Sequence, residues 1–284
     1  MPRPLIDLPR KIKDILAHFV DLPVEAAAPL THYRRSGADI WNLLLYVERN
    51  LAQLELYPAV LRRHLGRLNG MILISLIEAF ERYLKEIAAV CVDSIAPYVL
   101  DERFNVFRVQ GSSLAAHYGA NTLGKSLCEA ITWLNCSEIN DRFKKLLSHP
   151  FTVGNFELFA RQPPIELQRF ETLNIIWQLR HTVVHNVGVI TNSDAIKLRL
   201  LAKEHVEADR MLAPTRDDLR YLKRFLDEAA DRCNTLIGNQ LALLLTAIHA
   251  DNPSVFVAQE IANEITATFG NVLSVNGALG IPPS

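Results

Sequence analysis

The run Arg180-His181-Thr182-Val183-Val184-His185-Asn186 sets an arginine and a histidine five positions apart, the one place in the chain where residue types and spacing look like chemistry. An imidazole near neutrality gives or takes a proton. A guanidinium stays charged and is rarely buried without a partner. The stretch carrying this run, Pro163 to Gly188, is punctuated as a helix: two prolines open it, Glu166 sits in the first turn and Gly188 follows the last periodic residue. At about 100° per residue, Glu171, Asn174, Gln178, His181, Thr182 and His185 form a polar stripe, and Leu173, Ile176, Leu179 and Val183 form the apolar side. Arg180 falls among the apolar residues, so it requires a carboxylate, a phosphate or a second subunit.

Two further strings compete with this one. Gly119-Ala120-Asn121-Thr122-Leu123-Gly124-Lys125-Ser126 matches the phosphate-loop pattern G-x-x-x-x-G-K-[ST] and gives nucleotide binding as an alternative function. That loop works only after a buried strand and within a sheet, and Ser112 to Tyr118 does not read as a core strand. Gly119 and Gly124 therefore read as helix-to-helix loop residues beside a solvated Lys125. His181 and His185, four apart, have zinc-binding spacing, but Thr182 stands where a metalloprotease has glutamate and no third ligand is evident. No metal and no cofactor are expected, and Trp133 and Trp177 read as core.

The elements that must position the run are helical. Leu5 to Val20 is an amphipathic pattern, followed by a connection through Pro29. Gly37 to Leu65 and Asn69 to Val99 form a long helical pair, the second with Leu73, Ile77, Phe80, Leu84 and Ile87 in core spacing. On it Glu81 lies nearer the apolar stripe than Glu78 and is the better geometric candidate to meet a buried guanidinium. Asp101 to Gly111 reads as irregular, Ser113 to Leu134 and Ser137 to Ser148 as shorter helices, and His149 to Gln162 as a loop. After the motif helix a turn, Thr191 to Asp194, introduces another helix. Thr215 and Asp218 make a capping box for a long helix to about Ala250, and Asp251 to Phe269 forms one more before a Gly- and Pro-containing end. No period-two alternation is sustained, so the expected fold is all-α: an arm over 1–30, a helical domain over 37–250, and a C-terminal helix and tail over 251–284.

The run resembles the Arg-x4-6-His signature of the HEPN superfamily, whose members are all-helical, often metal-independent ribonucleases and usually dimers. Leu179 to Ile190 is similar to the RH-x3-HN-x-G form, and the helix around Ser75 to Glu81 is similar to the acidic helix that precedes the motif helix in that family. The resemblance makes Glu78 plausible beside Glu81 as the partner of Arg180. It implies a HEPN-like helical bundle with added peripheral helices, an RNA substrate, and Arg180 and His185 as catalytic residues at a dimer interface. His181, Asn186, Glu171, Glu81 and Glu78 are the supporting residues. A bacterial toxin, defence or stress setting with an inhibitor or defence-system partner is implied too. The tyrosine that antitoxins modify in some members is replaced by Val187. The alternative is a non-catalytic HEPN-like binding or assembly module, in which Arg180 and His185 only tie helices together.

Composition bounds these readings. The 284 residues are 49% hydrophobic, enough for one large domain or two small ones. A formal charge of −1 argues against a protein that coats nucleic acid electrostatically, so a nuclease would depend on a local site. Cys91, Cys128, Cys136 and Cys233 include no C-x-x-C pair, no leader pattern precedes them, and the apolar runs fall short of a membrane span; a cytoplasmic protein is expected.

Overall fold

A computed structural model describes residues 27–54, 57–107, 122–129, 131–148, 156–251 and 258–270. The expected helix over Leu5 to Val20, residues 108–121 with the start of the phosphate-loop string, most of the 149–162 loop and the end of the chain lie outside these. The described residues form an all-α fold. The helices are α1 (Pro29–Ala52), α2 (Pro58–Ile95), a 3-10 turn (Asp101–Phe107), α3 (Leu123–Glu129), α4 (Cys136–Leu147), α5 (Pro164–His185), α6 (Asn192–Ala202), α7 (Arg216–Asp251) and α8 (Ala258–Phe269). Two-residue strands β1 (Val189–Ile190) and β2 (Arg210–Met211) pair antiparallel, Val189 opposite Met211.

The first long helices are divided differently from the expectation. α1 starts at Pro29 and stops at Ala52, and α2 starts at Pro58. In both, proline takes the first helical position, where a missing N–H costs nothing. Periodicity across residues 57–68 continues straight into α2, which is why the boundary expected near Leu65 is absent.

α2 is the axis of the fold, packing against α1, α3, α5 and α7. Its Ile77, Phe80, Leu84 and Ile87 are fully buried, each worth about 1.5–3 kcal/mol of apolar burial. Trp177 of α5 stacks on Phe80 with centroids 6.0 Å apart, fixing the motif helix to that axis. Trp133 is fully buried against Phe143 of α4.

The caps are local and legible. Asn135 accepts from the Ser137 and Glu138 amides at the start of α4. Thr191 and Asp194 make a reciprocal capping box for α6, and Thr215 and Asp218 do the same for α7. α5 ends less simply. Gly188 has φ +83°, as a terminating glycine should, but Val187 before it is also left-handed at φ +52° and is 81% exposed. A β-branched residue is strained there.

Candidate functional site

Arg180 leaves α5 toward α2. Its Nη2 donates to Glu78 Oε1 at 3.3 Å, the guanidinium side chain is 20% exposed, and Glu78 is 51% exposed. Its Nε is buried with no hydrogen-bond partner. The carboxylate that the apolar side of α5 demanded is thus supplied within the chain, by Glu78. Glu81, the stronger geometric expectation, is engaged elsewhere: it accepts from the Trp133 amide at 3.1 Å and pairs with Lys85 at 3.2 Å. Buried there, it orders the approach to α4 instead of meeting Arg180. Register explains the exchange, because the buried side of α2 at Glu81 faces the Trp133 segment.

Beside Arg180 lies a cleft of about 320 Å³, bounded chiefly by Asn135, Asn174, Trp177, Gln178, Arg180 and His181. Most of this lining is polar. His181 is exposed and so is His185, which stands one turn on with its ring centroid 4.6 Å from that of His181. The cleft therefore brings Arg180 together with His181, and His185 joins through its contact with His181. Thr182, expected on the polar stripe, is fully buried, its hydroxyl donating to the Gln178 carbonyl at 3.1 Å. That back-bond satisfies the hydroxyl within the helix and lets a polar side chain face the core. Glu171 is drawn away to Lys203, 2.9 Å distant.

The residue that organises the edge of the site is Asp194, which the sequence marks only as the end of a turn that introduces a helix. Its buried carboxylate accepts from Gln178 Nε2 at 2.9 Å, Asn186 Nδ2 at 2.7 Å, and the hydroxyl and amide of Thr191 at 2.9 and 3.2 Å. Burial pushes its carboxyl up, but the bonds from Thr191 and Asn186 and the charge of His181 prevail and hold it below the ordinary aspartate range. Asn186, one of the expected supporting residues, spends its amide on Asp194. The Thr191-x-x-Asp194 spacing announces the cap; that Gln178 and Asn186 converge on the same carboxylate depends on how α6 folds back over α5.

The competing strings fare differently. Residues 122–126 enter α3, where the Gly124 amide donates to Asp93 at 2.7 Å and a Cβ on Gly124 would collide with the backbone of Ala89. Gly124 is thus a packing glycine between α2 and α3, a helical setting and not the expected loop, with Lys125 exposed. Among the described residues the β1–β2 pair is the whole of the sheet, which is not the framework a phosphate loop needs. No group of three or more His, Cys, Asp or Glu among the described residues is arranged to hold a metal. All four cysteines are free and buried; burial pushes the Cys136 thiol up to about 12, so it stays protonated and unreactive.

A larger cleft of about 600 Å³ lies between α2, α5 and α7, lined mainly by apolar residues such as Ile77, Ile176, Leu222 and Phe225. Its charged residues are already occupied, Asp218 in the α7 cap and Arg224 near Glu228 at 3.7 Å. No described helix is long and apolar enough to cross a membrane. Comparison of the chain with protein families, with curated proteins and with solved structures finds no match.

Proposed function

We propose that this chain is a metal-independent RNA endonuclease of HEPN type, acting as a homodimer in a bacterial toxin, defence or stress-response setting. One observation carries the reading: an incompletely partnered Arg180 and an exposed His181 border one polar cleft, and the ring of His185 lies tilted against that of His181, centroids 4.6 Å apart. The resemblance of the run to the HEPN signature supplies the substrate class.

The chemistry suits the groups. An imidazole takes the proton of the ribose 2′-hydroxyl as that oxygen attacks phosphorus, or gives one to the departing 5′-oxygen. The guanidinium stabilises charge growing on the phosphoryl oxygens. Arg180 suits this role because its tie to Glu78 is long and half exposed, and so weak. A phosphate entering the cleft would compete with Glu78 for Nη2. Dimerisation through this face would add a second set of the same groups.

His185→Ala should lower RNA cleavage by about 10²- to 10⁴-fold with helical content unchanged, and EDTA should leave the wild type unaffected. The 5′ fragment should end in a 2′,3′-cyclic phosphate. Activity that falls with chelator, or linear phosphate ends alone, would sink the reading. A second reading, a non-catalytic module, is favoured by one fact: the Arg180–Glu78 contact does join α5 to α2. It predicts no RNA cleavage and a loss of stability on Arg180→Ala.

A further inference from the structure

The face of α2 from Glu78 to Asp93 floors a groove of about 760 Å³, bounded by the start of α1 and by α3, that no described element fills. Its apolar lining is made of short side chains, Ala27, Pro29, Ala89 and Val90, and so has room for longer ones. Around them stand five carboxylates, Glu78, Glu81, Glu86, Asp93 and Glu129, and three cations, Arg82, Lys85 and Lys125. Lys85 is paired with Glu81 and Arg82 with Glu86, so the lining as a whole keeps an excess of negative charge. The described chain begins at this groove, because Ala27 both lines it and is the first described residue. In the segment that precedes it, Ile12, Ile15, Leu16 and Phe19 fall at i, i+3, i+4 and i+7, a single helical stripe, with Pro9 at its head. Lys11 and Lys13 fall about 100° to either side of Ile12 and flank that stripe.

We propose that this groove is a docking surface for the chain's own N-terminal arm: residues 9–20 lie along α2 as a helix, with Ile12, Ile15, Leu16 and Phe19 on the short apolar lining and Lys11 and Lys13 against the acidic rim. The lengths agree. Twelve helical residues span about 18 Å and the floor from Glu78 to Asp93 about 22 Å, while residues 21–26 reach about 20 Å when extended and so can turn the arm back into the groove. Large side chains set over small ones let two helices approach closely. The flanking charges are exposed pairs of little individual worth; the apolar stripe holds the arm and the charges fix its register. The apolar cleft between α2, α5 and α7 is lined by no residue of α1, so the chain does not enter it there. Glu78, at one end of the groove, also holds Arg180, so the docked arm lies beside the α5 site. The docking itself stands whether or not the chain cleaves RNA.

The test uses the full chain, wild type against Phe19→Asp on the arm and Val90→Asp in the groove, with circular dichroism as the folding check. Trypsin should cut after Lys11 and Lys13 about 10- to 10²-fold faster in Phe19→Asp than in the wild type, since proteolysis follows the population of the undocked arm. Val90→Asp, remote in sequence, should speed the same cuts alike. A zero-length carbodiimide cross-linker, with the links located by mass spectrometry, should join Lys11 or Lys13 to Glu78, Glu86, Asp93 or Glu129. Equal cutting of wild type and Phe19→Asp would overturn the proposal, as would release of the arm by Phe19→Asp but not by a folded Val90→Asp. Links to Asp218 or Glu228 would place the arm in the apolar cleft beside α7 and overturn it too. Links found only between an isotope-labelled and an unlabelled copy would make the occupant a second chain's arm and refute docking within the chain. Should Val90→Asp lose helical content, the wild-type cross-links decide alone.

Discussion

The first turn of α5 and its last turns both hold charged side chains against neighbouring helices, yet they treat that charge in opposite ways. At the first turn the Glu166 side chain is 8% exposed and bridges two arginines, Arg169 at 2.7 Å and Arg232 of α7 at 2.8 Å. At the other end Arg180 has one contact of 3.3 Å to an exposed glutamate, and the rings of the two exposed histidines lie against each other. One carboxylate with two short cationic partners has its charge spent on holding α5 to α7. A cation with one long partner keeps charge in reserve, which a binding site requires and a structural tie does not.

The comparison breaks most readily at Arg180. Arg180→Ala should lower RNA cleavage by about 10²- to 10³-fold, the usual cost of losing one charge-stabilising donor. It should move stability by less than about 1 kcal/mol, as a half-exposed pair is worth little. Glu166→Ala should do the reverse. With its two arginines free to re-solvate in part, the loss is about 1–3 kcal/mol, several degrees of Tm, with cleavage unchanged. If thermal melts show the two variants trading places, the open and closed ends have been misassigned.

Asp194 lies between these extremes, a satisfied carboxylate at the edge of the open end. Its folded pKa is lowered, so its stabilisation is complete above the unfolded aspartate value of about 3.9 and is lost as pH falls through the folded one. Asp194→Asn should therefore be less stable than wild type by about 1–2 kcal/mol at pH 7, with the gap narrowing below about pH 4. Denaturant midpoints measured across pH would detect this, and a gap constant down to pH 2 would show that the carboxylate charge has no part in it.

The smallest expected effect is at the helix end itself. Val187 is left-handed and exposed, so Val187→Gly relieves strain without losing packing and should stabilise by about 0.5–1 kcal/mol. A lower Tm for that variant would show that the valine side chain has a contact the open face conceals.

Much of this fold was legible in the sequence because it is made locally. Pro at the start of α5, the turn at Thr191 to Asp194, the Thr215/Asp218 cap and the i, i+4 apolar rows of α2 each depend on a few neighbouring residues, and each names an element or its buried side. The break between Ala52 and Pro58 was misplaced because periodicity reports a helix without reporting which helix it belongs to. The helix that carries Arg180, His181 and His185 was likewise legible from residue type and spacing.

Tertiary structure alone decided the partners. Sequence order could not choose between Glu78 and Glu81 for Arg180, since both lie on α2 and only the rotation of α2 against α5 and the Trp133 segment separates them. Nor could it bury Thr182, gather Gln178 and Asn186 onto Asp194, or open the cleft between Asn135 and Arg180. Helical period sets a side chain's angle about its own axis; what stands at that angle is determined by how remote segments pack, and there the local code carries no information.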